Sequence, residues 1–170
     1  MPSLLTLSVV AAVAAVASIP GCSTPADGSI LPFVVGTRVT PSQEPFTRLF
    51  ASATSGFTEP AAVVLRDEAA LSAVWRTIFE GTPLVPVPRV DFAQKMVVLL
   101  ALGPRNTGGY TIHFDSMTVQ AGMAVIGYTV NTPGLDCIPS QVVTSPVELV
   151  VVPRVDGRAR FDATTLLKQC

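Results

Sequence analysis

Three cysteines, a single histidine and one glycine-rich loop are the residues of this 170-residue chain whose chemistry could go beyond folding. Nucleophilic catalysis of the Ser-His-Asp kind would have to use His113, and no G-x-S-x-G elbow is present to present a serine to it. His113 alternates with Tyr110, Ile112 and Phe114 and shares its face with Thr111, the pattern of a surface position on a half-buried strand. The 12 carboxylates are scattered, and the pair Asp67 and Glu68 is accounted for by helix capping, so no two are set for general acid and base work. A zinc site needs His or Cys partners that the chain lacks. The sequence therefore predicts no catalytic residue, no metal and no cofactor, and the protein reads as not an enzyme.

The loop is Arg105-Asn106-Thr107-Gly108-Gly109-Tyr110. Gly108 and Gly109 can adopt positive φ without penalty, which a tight turn requires. The signal for a phosphate-cradling role is weak, because a P-loop needs G-x-x-x-x-G-K-[ST] leading into a helix and this loop leads into a strand. Arg105, Asn106, Thr107, Gly108, Gly109 and Tyr110 are instead the candidate interaction loop. The segment 106–110 is similar to the Asn-Pro-Thr-Thr-Gly-Tyr loop of chagasin-type inhibitors of cysteine proteases. It departs from them by a second glycine before Tyr110, by the missing proline, and by a helix that their all-β pattern does not contain.

Location is written at the N-terminus. Residues 1–26 carry no charged side chain, and 4–16 form an apolar core too short to span a bilayer and of the right length for a secretory h-region. Ile19-Pro20-Gly21-Cys22 resembles a bacterial lipobox, with Cys22 lipidated and first in the mature chain; Pro20 replaces the small residue usual there. Cleavage after Ala15-Val16-Ala17 is the competing pattern and would leave Cys22 a free thiol. These signals predict a signal peptide over 1–21, a Ser/Thr/Pro-rich tether over 22–45 and one domain over 46–170. They place the protein in the cell envelope, lipid-anchored at the outer membrane or cell surface, or secreted if lipidation fails. Export permits disulfides. With Cys22 used for lipid, Cys137 and Cys170 form an even pair whose bond would close a loop of about thirty residues and contribute roughly 3 kcal/mol; two reduced thiols are the alternative. A net charge of −1 gives no reason to expect nucleic acid as a partner.

Periodicity supplies the elements. Residues 97–102 are apolar without alternation, which predicts a strand covered on both faces. The strict alternation at 110–114 predicts a half-buried strand, joined to it by the glycine loop as an antiparallel pair. A change of parity between Phe114 and Met117 predicts a bulge near Asp115 and Ser116. Ala121-Gly122 reads as a two-residue hairpin turn into 123–130. Leu71, Val74, Trp75 and Ile78 make one stripe of a helix capped by Asp67 and stopped by Gly81, with Trp75 as its main contact to the sheet. Shorter strands are expected at 46–51, 61–65 and 147–152, an extended Pro-rich connector at 82–90, and an irregular polar tail from 156. Arg105, Arg154, Arg158 and Arg160 would form a basic surface if loop and tail met. The fold class is α+β, a mainly antiparallel sheet of five to seven strands with one packed helix.

Several of these features stand in a recognisable order: the 71–75 helix segment, Val90-Asp91-Phe92, Gly103 followed by Asn106-Thr107-Gly108-Gly109-Tyr110, Pro133-Gly134-Leu135-Asp136-Cys137, and Thr144-Ser145-Pro146-Val147-Glu148-Leu149-Val150. Over roughly residues 60–155 the chain resembles the C-terminal domain of the PrcB family, named for a lipoprotein subunit of a bacterial cell-surface protease complex. The resemblance implies a small, largely β domain in an exported lipoprotein. It further implies an accessory role beside an extracellular protease and a protein partner, with no activity of its own.

Overall fold

The computed structural model describes residues 45–82 and 85–169. Eight elements follow one another: β1 (Thr47–Ser52), β2 (Ala61–Leu65), α1 (Glu68–Ile78), β3 (Lys95–Ala101), β4 (Thr111–Gln120), β5 (Met123–Pro133), β6 (Val147–Pro153) and β7 (Ala159–Lys168). They build two sheets, one in the order β1-β6-β3-β2 and one in the order β4-β5-β7. The first is wholly antiparallel. Its inner strands β3 and β6 carry the long apolar runs, interrupted in β6 by Glu148, because each is covered on both faces.

Alternation along β3 divides those faces. Val97, Leu99 and Ala101 join Val147 and Leu149 under α1, while Met96, Val98 and Leu100 join Val150 and Val152 against the second sheet. The domain is thus three layers, helix on sheet on sheet, with a core on either side of β3 and β6.

The helix forms for the reasons its sequence states. Asp67 adopts an extended N-cap conformation and its carboxylate accepts the Ala70 amide at 2.8 Å. Leu71, Trp75 and Ile78 are buried on one stripe. Trp75 meets Phe50 and Phe79 with ring centroids 5.5 and 5.0 Å away, and its indole N–H donates to the Val85 carbonyl at 3.0 Å, so the polar end of the ring is satisfied where it is buried. The helix ends at Ile78, and the chain turns away through Gly81 at φ 75°.

In the second sheet, β4 and β5 form the expected hairpin. Ala121 and Gly122 have φ of 49° and 77°, both positive as a two-residue turn of the primed type requires. The register slips between Phe114 and Ser116, which places the bulge at Asp115. Ile112, Phe114 and, past the slip, Met117 are all buried as a result.

Two expectations are corrected. β3 and β4 are not partners: the glycine loop carries the chain out of one sheet and into the other, and β3 pairs instead with β2 and β6. The tail from 156 is not irregular either. It forms β7, parallel to β5 from Ala124↔Ala159 to Pro133↔Lys168. Only Ala159 and Phe161 of that strand pack against the core, so main-chain pairing holds it and its side chains are free to be polar. Arg154 pairs with Asp156 and Arg160 with Asp162, each at 2.7 Å.

Candidate functional site

The two sheets meet along a seam between their terminal strands β1 and β4. The seam is closed at one end and open at the other. At the closed end the Phe46 and Phe114 rings lie 4.8 Å apart. Beside them Glu148 of β6, fully buried, turns its side chain between the sheets. One carboxylate oxygen accepts from Arg48 Nε at 2.5 Å, and the other accepts the Phe114 main-chain N–H at 2.7 Å. The carboxylate thus gives the edge of β4 the acceptor that a neighbouring strand would otherwise supply, and it ties together β1, β6 and β4.

At the open end lies a cleft of about 230 Å³. Residues 51–53 form one wall, residues 110–113 the other, and Pro146 and Val147 close the base. Tyr110 from the glycine loop and His113 from β4 both face this space. Phe114 gives its N–H to Glu148 rather than to β5, so Ile112, two residues earlier on the same strand, directs its own N–H and C=O away from β5 and toward the cleft.

The loop beside the cleft is held fast. Arg105 and Thr144 exchange main-chain hydrogen bonds at 2.7 and 2.9 Å, Gly108 donates to the Ser140 carbonyl at 2.8 Å, and the Thr144 hydroxyl donates to the Thr107 carbonyl at 3.0 Å. The two glycines serve different needs. Gly109 sits at φ 89°, and a Cβ on Gly108 would stand 2.3 Å from the Ser140 hydroxyl. Asn106 and Gly109 are exposed at the loop surface. The Arg105 guanidinium lies over the Tyr110 ring, 5.5 Å from its centroid, and donates to the Leu102 carbonyl at 3.2 Å.

Of the residues singled out by sequence, Tyr110 at the end of the loop and His113 come together at this cleft, while 105–109 do not line it. Among the described residues no hydrogen bond joins His113 to Ser52 or to a carboxylate, and no three His, Cys, Asp or Glu side chains gather as metal ligands. Cys137 lies elsewhere, on the 134–137 turn at the end of β7. Its sulfur stands 3.3 Å from the Lys168 carbonyl oxygen, and the Gly134 amide donates to that same oxygen at 2.9 Å. Cys22 and Cys170, the signal peptide and the tether up to residue 44 lie outside the described residues. Sequence reasoning missed Glu148 and Arg48 as a working pair. The available signal was a single carboxylate inside the apolar run of β6.

A two-sheet β domain with one covering helix and an open seam defines no reaction. Residues 96–153 match the family model described as PrcB C-terminal. That stretch, similar to the PrcB C-terminal domain, runs from β3 through β6 and includes the glycine loop and one wall of the cleft. The matched span is narrower than the 60–155 over which the resemblance was drawn, and α1 falls outside it. No curated protein and no solved structure matches the chain.

Proposed function

We propose that this is a non-enzymatic domain that binds another protein at the bacterial cell envelope, an accessory subunit held there by lipid on Cys22, with a secreted protease as the partner the family points to. The observation carrying this reading is the open seam, where two terminal strands flank a cleft and a loop pinned to the 140–144 segment holds Tyr110 on its wall. Terminal strands and rigid loops are the surfaces on which proteins without catalytic residues exchange main-chain hydrogen bonds with partners. The PrcB C-terminal family match supports the same class of role.

The test is a photo-reactive phenylalanine analogue placed at Thr111, on the cleft wall, and separately at Ala163, exposed on β7. Ultraviolet crosslinking is carried out in native envelopes. A discrete protein adduct from position 111, absent from position 163 and lost in the Tyr110→Ala background, is expected. Equal adducts from both positions, or none from position 111, would remove the proposal. Anchoring is checked separately: labelled palmitate enters the wild-type protein and not Cys22→Ala.

Exposure of Asn106 and Gly109 at the loop surface favours one second reading, inhibition of a cysteine protease by the 106–110 loop. Titrating the protein into papain decides it, since an inhibitor slows peptide hydrolysis at micromolar concentration.

A further inference from the structure

We infer that the free edge of β7 pairs with β7 of a second copy of this chain, antiparallel about a two-fold axis at Thr165, so that two three-stranded sheets join into one. This surface is separate from the seam, and the inference does not depend on the protein-binding reading above. Among the terminal strands, β7 alone has no device against such pairing. β2 is five residues long, β1 is interrupted by a register shift between Arg48 and Phe50, and β4 carries both its bulge and the Glu148 carboxylate on its edge. Short strands, bulges and charges turned onto the edge are how proteins keep terminal strands apart. β7 runs for ten residues in unbroken register with β5. Its centre, Ala163-Thr164-Thr165-Leu166-Leu167, is uncharged, and Leu166 and Leu167 are exposed apolar side chains.

Hydrogen-bond parity fixes which main-chain groups are free. The Arg158 carbonyl accepts from Ala124 and the Lys168 carbonyl from Gly134, each at 2.9 Å, so the even-numbered residues of β7 turn their main chain toward β5. Phe161, Ala163, Thr165 and Leu167 therefore direct N–H and C=O the other way, where no described residue answers them. Charge then selects the register. With Thr165 opposite its own copy, Ala163 faces Leu167 as a hydrogen-bonded pair, while Thr164 faces Leu166 and Asp162 faces Lys168 on the outer side of the sheet. The two-fold makes two such opposite-charge pairs, one at each end of the uncharged run. An axis at Thr164 would instead set Arg160 against Lys168, and an axis at Ala163, Leu166 or Leu167 would leave Asp162 facing no cation. An axis between residues would set a free main-chain residue against one already turned to β5. The two-fold also closes the assembly, since each copy uses up its β7 edge on the other.

The test is sedimentation equilibrium of the full chain as Cys22→Ser, which carries no lipid, at concentrations up to about millimolar. A monomer in equilibrium with a dimer is expected. Thr165→Pro should abolish the dimer and leave the urea transition followed through Trp75 in place, because the Thr165 N–H faces away from β5 and no ladder bond is lost. Lys168→Glu sets like charges opposite one another twice and should weaken association about tenfold, and adding Asp162→Lys restores it. The photo-reactive analogue at Ala163 should capture a second copy of this chain, an adduct of different mass from the partner captured at position 111. A chain that stays monomeric throughout, a dimer that survives Thr165→Pro, species that grow beyond two copies, or a charge swap that restores nothing would each overturn the inference. None of these results touches the adduct at position 111, so the protein-binding proposal is judged separately.

Discussion

Removing either partner of the Glu148 and Arg48 pair should destabilise the domain far more than the half-exposed position of Arg48 suggests. Glu148 is fully buried, whereas the Arg48 side chain is 53% exposed. Arg48→Ala therefore leaves a carboxylate in the core with the Phe114 N–H as its one hydrogen bond, at a cost of about 3 kcal/mol, the lower end for an orphaned buried charge because water can approach from the seam. Substitutions at other half-exposed positions change stability by about 0.5 kcal/mol or less. Glu148→Ala also costs about 3 kcal/mol, for different reasons: an unanswered Phe114 N–H accounts for roughly 1–3 kcal/mol and lost packing for the remainder, while Arg48 turns out to water. Once Glu148 is gone, Arg48 has little left to do. The double variant should be about as unstable as Glu148→Ala alone, giving a coupling of about 2–3 kcal/mol. Urea unfolding followed through Trp75, the one tryptophan and 5% exposed, measures all four corners of the cycle. If the two single losses simply add, the carboxylate does not join the strands and the account of the seam is wrong.

Three further outcomes are expected. Ala121 holds a positive φ that asparagine tolerates better, so Ala121→Asn should stabilise the β4–β5 turn by a few tenths to about 1 kcal/mol, seen as a rise in Tm. Gly109→Ala forces a side chain into φ 89° and should cost about 1–2 kcal/mol in the same urea assay, with weaker crosslinking at position 111 as the pinned loop shifts. Cys137 lies against Lys168 near the chain end; Cys137→Ser should cost roughly 3 kcal/mol under oxidising conditions and nothing extra under reducing ones, and wild-type protein alkylated without reductant should take no label at Cys137 or Cys170.

Local pattern made much of this protein legible. The change of parity between Phe114 and Met117 announced the bulge, because a side-chain period of two leaves no other way to keep both residues inside. Asp67, the stripe through Leu71, Trp75 and Ile78, and the turn at Ala121 and Gly122 were equally readable, since capping, helical period and turn geometry act within a few residues. The glycine loop was legible as a turn. Its attachment to 140–144 was not, because those hydrogen bonds join segments more than thirty residues apart.

What the sequence by itself determined is which residues face inward and where the chain bends: a burial period is a property of one strand. Only the tertiary structure decided which strands are neighbours. Adjacent in the chain, β3 and β4 separate into different sheets, and β7, too polar to advertise a buried face, is recruited by its main chain to the edge of β5. The same holds for Glu148. A carboxylate in the run Val147–Pro153 reads as a misfit until Arg48, 100 positions away, and the Phe114 amide reach it, and it is their convergence that closes one end of the seam and leaves the other open.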